Sequence, residues 1–112
     1  MKISKELIKG STGIMILKVL AEEESYGYEI VQKLSRLSEN VFQLNEGTLY
    51  PILHTLEKEK YLVSFRRESE TGRERKYYRI TDAGRLFLMS KIEEWNLFAS
   101  SVSRVLKGEA NG

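Results

Sequence analysis

The 112-residue sequence has no cysteine, one proline, one histidine and one tryptophan. Without thiols there is no disulfide framework, no cysteine-ligated zinc and no thiolate nucleophile, and His54 alone builds no histidine metal cluster. No metal and no cofactor is therefore expected. Long hydrophobic runs are also missing: the longest apolar stretch, Gly13 to Leu20, is interrupted by Lys18 and falls far short of the roughly 20 residues a bilayer span needs. Lys2, Lys5 and Lys9 precede it much as in a signal peptide. The segment then runs into Glu22, Glu23 and Glu24 rather than a small-residue cleavage site, so a mature cytoplasmic N-terminus with no membrane partner is expected. What remains is one small domain. Its hydrophobic fraction of 41%, with six tyrosines, four phenylalanines and a tryptophan, is that of a packed chain rather than a disordered one.

The net charge of +2 is unevenly placed. Residues 1–45 and 80–112 each balance, residues 46–65 sum to −1, and Arg66 to Arg79 carries six basic against three acidic side chains. A solvated loop explains a few such residues. A localised basic stripe is also the electrostatic footprint of phosphate binding.

Apolar residues recur at helical spacing from residue 4 to residue 21, which predicts a first helix there, buried on most sides in its second half. Acidic residues favour helix N-termini, so Glu22 to Glu24 are expected to precede a second helix, capped by Ser25 and running to about Leu37. Ile30, Leu34 and Leu37 share its apolar face. A brief extended segment, Val41 to Leu44, leads to Asn45, a cap for a third helix reaching about Lys60. Leu49, Ile52, Leu53 and Leu56 form its apolar stripe. Opposite them lie Gly47, Tyr50, Pro51, His54 and Lys58, with Thr48 and Thr55 at the edge. Pro51 sits early enough to bend the helix without ending it.

The periodicity then changes. Residues 61–65 and 76–80 are rich in aromatic and β-branched side chains and flank a polar loop containing Thr71-Gly72, the pattern of a β-hairpin. Strand alternation predicts that one of Tyr77 and Tyr78 packs inward while the other stays free for a phosphate. Thr81 caps a last helix that ends before Gly108. Within it Leu88, Ile92, Trp95, Ala99, Val102 and Leu106 follow a heptad spacing. A single small domain rarely covers so long a stripe alone, so pairing with a second copy is the economical explanation.

Three helices, a two-stranded wing and a long helix make an α+β, mainly α, fold. The expected organisation is a winged helix-turn-helix domain over residues 1–80, a C-terminal dimerisation helix over 81–108 and a flexible tail over 109–112. A third helix with a small, polar outer face fits a DNA major groove, and a basic wing reaches the flanking phosphates. Thr48, Tyr50 and His54 are the expected base-proximal group. Lys58, Arg66, Arg73, Arg75 and Lys76 are expected on phosphates, with exposed amides near Tyr26 as a further anion site. Catalysis needs a positioned acid-base pair or an activated nucleophile, and neither is visible. His54 and Glu57 lie three apart on one helix, a common surface pair without a pocket. Winged helices also serve as protein-interaction modules or non-specific architectural DNA binders. The wing charge argues against pure protein binding, which would need a larger apolar patch than Tyr50 and Pro51 provide.

Tyr26-Gly27-Tyr28-Glu29-Ile30, Asn45-Glu46-Gly47-Thr48-Leu49-Tyr50-Pro51-Ile52-Leu53, Leu56-Glu57-Lys58-Glu59, and Gly72-Arg73 with Lys76 to Gly84 together resemble the PadR family of bacterial transcriptional regulators. The likeness spans about residues 5 to 106, and the single helix after the wing is similar to the compact, LmrR-like branch. It implies a homodimeric repressor whose third helix reads double-stranded operator DNA and whose first and last helices make the dimer. In that branch a tryptophan of the last helix lines a central pore for planar aromatic effectors, a position that Trp95 matches. Residues 96–102 depart from that branch. Leu7, Ser11, Ile14, Ile92 and Phe98 are expected near Trp95. An aromatic on a heptad seam also serves packing, and two facing tryptophans combine both roles if the helices are held apart.

Overall fold

Ile16, Leu17 and Leu20 lie on one side of a helix and are almost wholly removed from solvent. Each such side chain contributes about 1.5–3 kcal/mol of burial, and the other elements are arranged to cover them. The computed structural model describes residues 2–108. In chain order they form α1 (Lys5–Lys9), α2 (Thr12–Glu22), β1 (Ser25–Tyr26), α3 (Gly27–Leu37), α4 (Glu46–Lys58), β2 (Leu62–Glu68), β3 (Glu74–Ile80) and α5 (Asp82–Lys107). The expected tail at 109–112 lies outside the described residues.

The single helix expected over residues 4–21 is in fact two, parted at Gly10-Ser11. Glycine weakens the helix there. In addition, the hydroxyls of Ser11 and Thr12 both donate to the Ile8 carbonyl, each at 3.1 Å, competing with the backbone for that acceptor. Glu22 stays inside α2 rather than preceding the next helix, because Lys18 holds it at 2.8 Å across one turn.

Ser25 does not cap α3 as expected; it is buried in β1, opposite Tyr78. Its hydroxyl donates to the Glu23 carbonyl and accepts from Lys33 Nζ at 2.7 Å. The cap falls on Tyr26, whose N–H donates to the Glu29 carboxylate at 3.2 Å. Asn45 caps α4 as expected, its Oδ1 accepting the Thr48 N–H at 2.8 Å. That helix stops at Lys58, two residues early, as the chain turns through Lys60 at φ 69°. Val41–Leu44 form no regular strand.

The sheet order is β1-β3-β2, antiparallel throughout, so β3 is paired on both edges. β2 and β3 run in register from Leu62 opposite Ile80 to Glu68 opposite Glu74, longer toward the tip than expected because the Ser69–Arg73 turn continues the ladder. The central position of β3 buries both tyrosines, contrary to the alternation argument. Tyr78 faces the helical core, while Tyr77 is covered on the other face by Tyr26, Phe65 and Arg67. Neither is left free for a phosphate.

α5 begins where Thr81 accepts the Gly84 N–H at 2.9 Å and donates to the Lys60 carbonyl at 2.8 Å. A Cβ at Gly84 would collide with the Tyr61 carbonyl, so only glycine lets the helix lie against that backbone. Phe87 then stacks on Tyr61 with centroids 4.0 Å apart, and Leu88 enters the core. The later turns run outward, giving the molecule a 60 Å long axis, and the helix closes at Gly108 in the left-handed region.

Two stability measurements follow. Gly84→Val is expected to cost at least about 2 kcal/mol in urea unfolding at fixed protein concentration, since backbone must move. Burial, aided by nearby Tyr50 and Glu57, pushes the Tyr78 phenol up to about 12. The folded chain therefore keeps a proton that an unfolded tyrosine loses near pH 10. Stability is complete below that pH and falls as pH rises from 10 to 12, by about 2 kcal/mol for this group. Tyr78→Phe should flatten that part of the curve relative to the parent protein.

Candidate nucleic-acid interface

The outer face of α4 is open. Gly47, Thr48, Tyr50, Pro51, His54, Thr55 and Lys58 are exposed, while Leu49, Leu53 and Leu56 hold the opposite face in the core. Thr48, His54 and Lys58 share that face as the periodicity predicted. Tyr50 is less free than its neighbours. Its hydroxyl sits so near the start of α3 that a Cβ at Gly27 would lie 2.5 Å from it, and burial, then Glu46, raises its pKa. Tyr50 thus ties α4 to α3 while part of its side chain stays exposed. Nothing in the sequence pointed to this seat, because it joins residues on two different helices.

The wing has two chemically different faces. Alternation places Ser64 and Arg66 with Tyr78 and Lys76 on the side toward α4, where the Ser64 hydroxyl donates to the Glu57 carboxylate at 2.5 Å. Arg67, Arg75 and Arg79 lie on the other side, and all three are engaged. Glu24 holds Arg67 at 2.9 Å and Arg79 at 3.3 Å. Arg67 also stacks 3.9 Å over Tyr77, and Arg75 stacks 4.4 Å over Tyr26 with its Nε buried and unpartnered among the described residues. Arg66, Lys76 and the tip residue Arg73 are exposed and make no ion pair among the described residues. The tip turns through Gly72 at φ 82°, as its Thr71-Gly72 signal predicted.

Two expectations change here. Arg75 faces away from α4, because a one-residue step along a strand reverses a side chain. At Tyr26 the N–H expected for an anion is taken by Glu29, and Arg75 covers the ring. The Glu24 clamp was invisible in the sequence, because it joins residues 43 and 55 positions apart.

Trp95 and Phe98 lie 6.1 Å apart, both exposed, and with Leu7, Ser11 and Ile14 they line a groove of about 410 Å³. Ile92 instead packs on the core, and Leu88 is inside it, so the exposed part of the heptad seam begins at Trp95. Ala99 is half-buried, and Val102 and Leu106 are exposed. No group of side chains able to hold a metal occurs among the described residues, and none of their helices is long and apolar enough to cross a membrane.

The profile of the transcriptional regulator PadR-like family matches residues 16–90. The chain belongs to the PadR-like family. A PadR-like transcriptional regulator from Bacillus cereus has a crystal structure similar to this chain, with TM-score 0.82, 34% identity, and coverage of 94% of this chain and 100% of that one. A transcriptional regulator from Clostridium thermocellum is equally similar, with TM-score 0.82, 35% identity, and coverage of 89% and 97%. The transcriptional regulator Rv3488 of Mycobacterium tuberculosis is 39% identical over 84 residues, 75% of each chain. PadR-like proteins are DNA-binding repressors with a winged-helix fold, which accounts for the helix-turn-helix pair α3–α4, the wing and the long α5 in one scheme.

Proposed function

We propose that this PadR-like chain acts as a homodimeric repressor on a two-fold symmetric operator and is released by a planar aromatic ligand bound beside Trp95. The observation that carries the DNA reading is the acid-poor outer face of α4, with Arg66 and Lys76 unpaired on the same side of the wing. Thr48, His54 and the exposed part of Tyr50 approach the bases, while Lys58, Arg66, Arg73 and Lys76 hold the backbone phosphates. Arg75 and Tyr26 contribute by stiffening the wing from behind. The exposed turns of α5 from Trp95 through Ala99, Val102 and Leu106, together with α1, meet their symmetry mates. A ligand that favours a dimer with wrongly spaced reading helices must weaken DNA binding by the same factor, and a coupling of about 1–3 kcal/mol suffices.

Selection from a pool of random duplex DNA at physiological salt is the first test. An inverted repeat with half-sites about one helical turn or slightly more apart is expected. Retention without an enriched motif would mean an architectural DNA binder, and no retention would mean a protein-interaction module. On the selected duplex, Arg66→Ala with Lys76→Ala should weaken all sequences alike and lower the salt slope by about 2. Arg67→Ala with Arg79→Ala should lower it by less than about 1, because both face away from α4 and Glu24 already offsets part of their charge. A change of preferred sequence in the first variant would show those side chains on bases instead.

A further inference from the structure

The Trp95 groove does not end at Ile14. A second groove, of about 450 Å³, shares Gly10, Ile14, Lys91 and Glu94 with it and continues to Pro51, Ile52 and Thr55 on α4. Two glycines line this passage and put no side chain into it. A Cβ at Gly10 would meet nothing within 4 Å, and one at Gly13 would only touch Leu56 Cδ2 at 4.0 Å. Neither glycine has a positive φ, so no turn requires them, and in α2 Gly13 weakens the helix relative to alanine. Open space above the helix is what they provide.

We infer that one aromatic small molecule occupies both grooves, with one end against Trp95 and Phe98 and the other against Pro51 and Ile52, so that the effector touches the DNA-reading helix directly. This rests on the reading of the Trp95 groove as an effector site. Continuity with the Trp95–Phe98 pair selects an aromatic occupant, and the apolar walls formed by Ile14, Ile52, Leu56 and Phe87 suit its far end. Pro51 is also where α4 is most easily moved. It has no N–H for the carbonyl four residues earlier, so the first turn, which carries Thr48 and Tyr50, is joined to the rest by one backbone bond fewer. A molecule pressed against Pro51 and Ile52 shifts that turn relative to the partner's reading helix.

The test uses 1-anilinonaphthalene-8-sulfonate as probe and two readouts without DNA: energy transfer from Trp95, the sole tryptophan, and amide exchange in α4. The parent protein should show transfer and about threefold or greater slowing of exchange over residues 52–56. Gly13→Leu, which fills only the α4 end, should retain transfer with Kd within about threefold and lose the slowing; Gly13→Ala should fall between. Transfer without an α4 response, or an α4 response that survives Gly13→Leu, overturns the continuous site. Dissociation of the dimer in Gly13→Leu also overturns it, the glycine then serving to admit a second copy. Absence of transfer in the intact parent dimer removes the effector reading beneath it, whereas the random-duplex selection judges DNA binding separately.

Discussion

Pairing of β3 on both edges is the constraint from which the rest of the arrangement follows. On one edge β1 is only two residues long, yet it fixes where α3 starts, because Tyr26 is at once its last residue and the helix cap. On the other edge the register with β2 decides which wing cations stand beside α4 and which stand behind. Its C-terminal end delivers Thr81, whose hydroxyl binds the Lys60 carbonyl while capping α5. A slip of one residue on β3 would turn Tyr78 out of the core and reverse the face of every wing cation on that strand.

The wing shows why a net positive charge is a poor guide to a contact surface. Six basic side chains lie between residues 66 and 79, but Glu24 and the tyrosines absorb three of them on the far side. Exposed ion pairs of this kind contribute little individually. Their effect is directional: they occupy the far side, while Arg66 and Lys76, which make no ion pair among the described residues, stand on the side where α4 lies together with Glu57 and Glu74, and Arg73 is at the tip.

Elements governed by local chemistry were legible in the sequence. Asn45 and Thr81 cap the helices they were expected to cap, the Thr71-Gly72 turn is where the hairpin reverses, and the stripe of α4 divides core from surface as its spacing predicts. The departures have non-local causes. Ser25 looks like a cap until Tyr78, far along the chain, claims it for a strand, and Arg75 looks equivalent to Lys76 until the register places it on the other face, over Tyr26. Leu88 continues a heptad seam by spacing, yet the close seat of Gly84 on the Tyr61 backbone turns that part of α5 into the chain's own interior. The Trp95 cluster was legible because α1 and α5 each present their apolar residues at helical intervals. Its extension toward α4 was not, because it depends on the absence of side chains at Gly10 and Gly13.

The contact of Tyr50 with Gly27 works like a tooth in a notch. With no Cβ to spare at position 27 and the phenol already lowered into the gap, α3 and α4 cannot slide along one another without lifting the ring out. The first turn of α4 and the start of α3 are thereby held as one piece, so whatever shifts that turn must carry the beginning of α3 along with it.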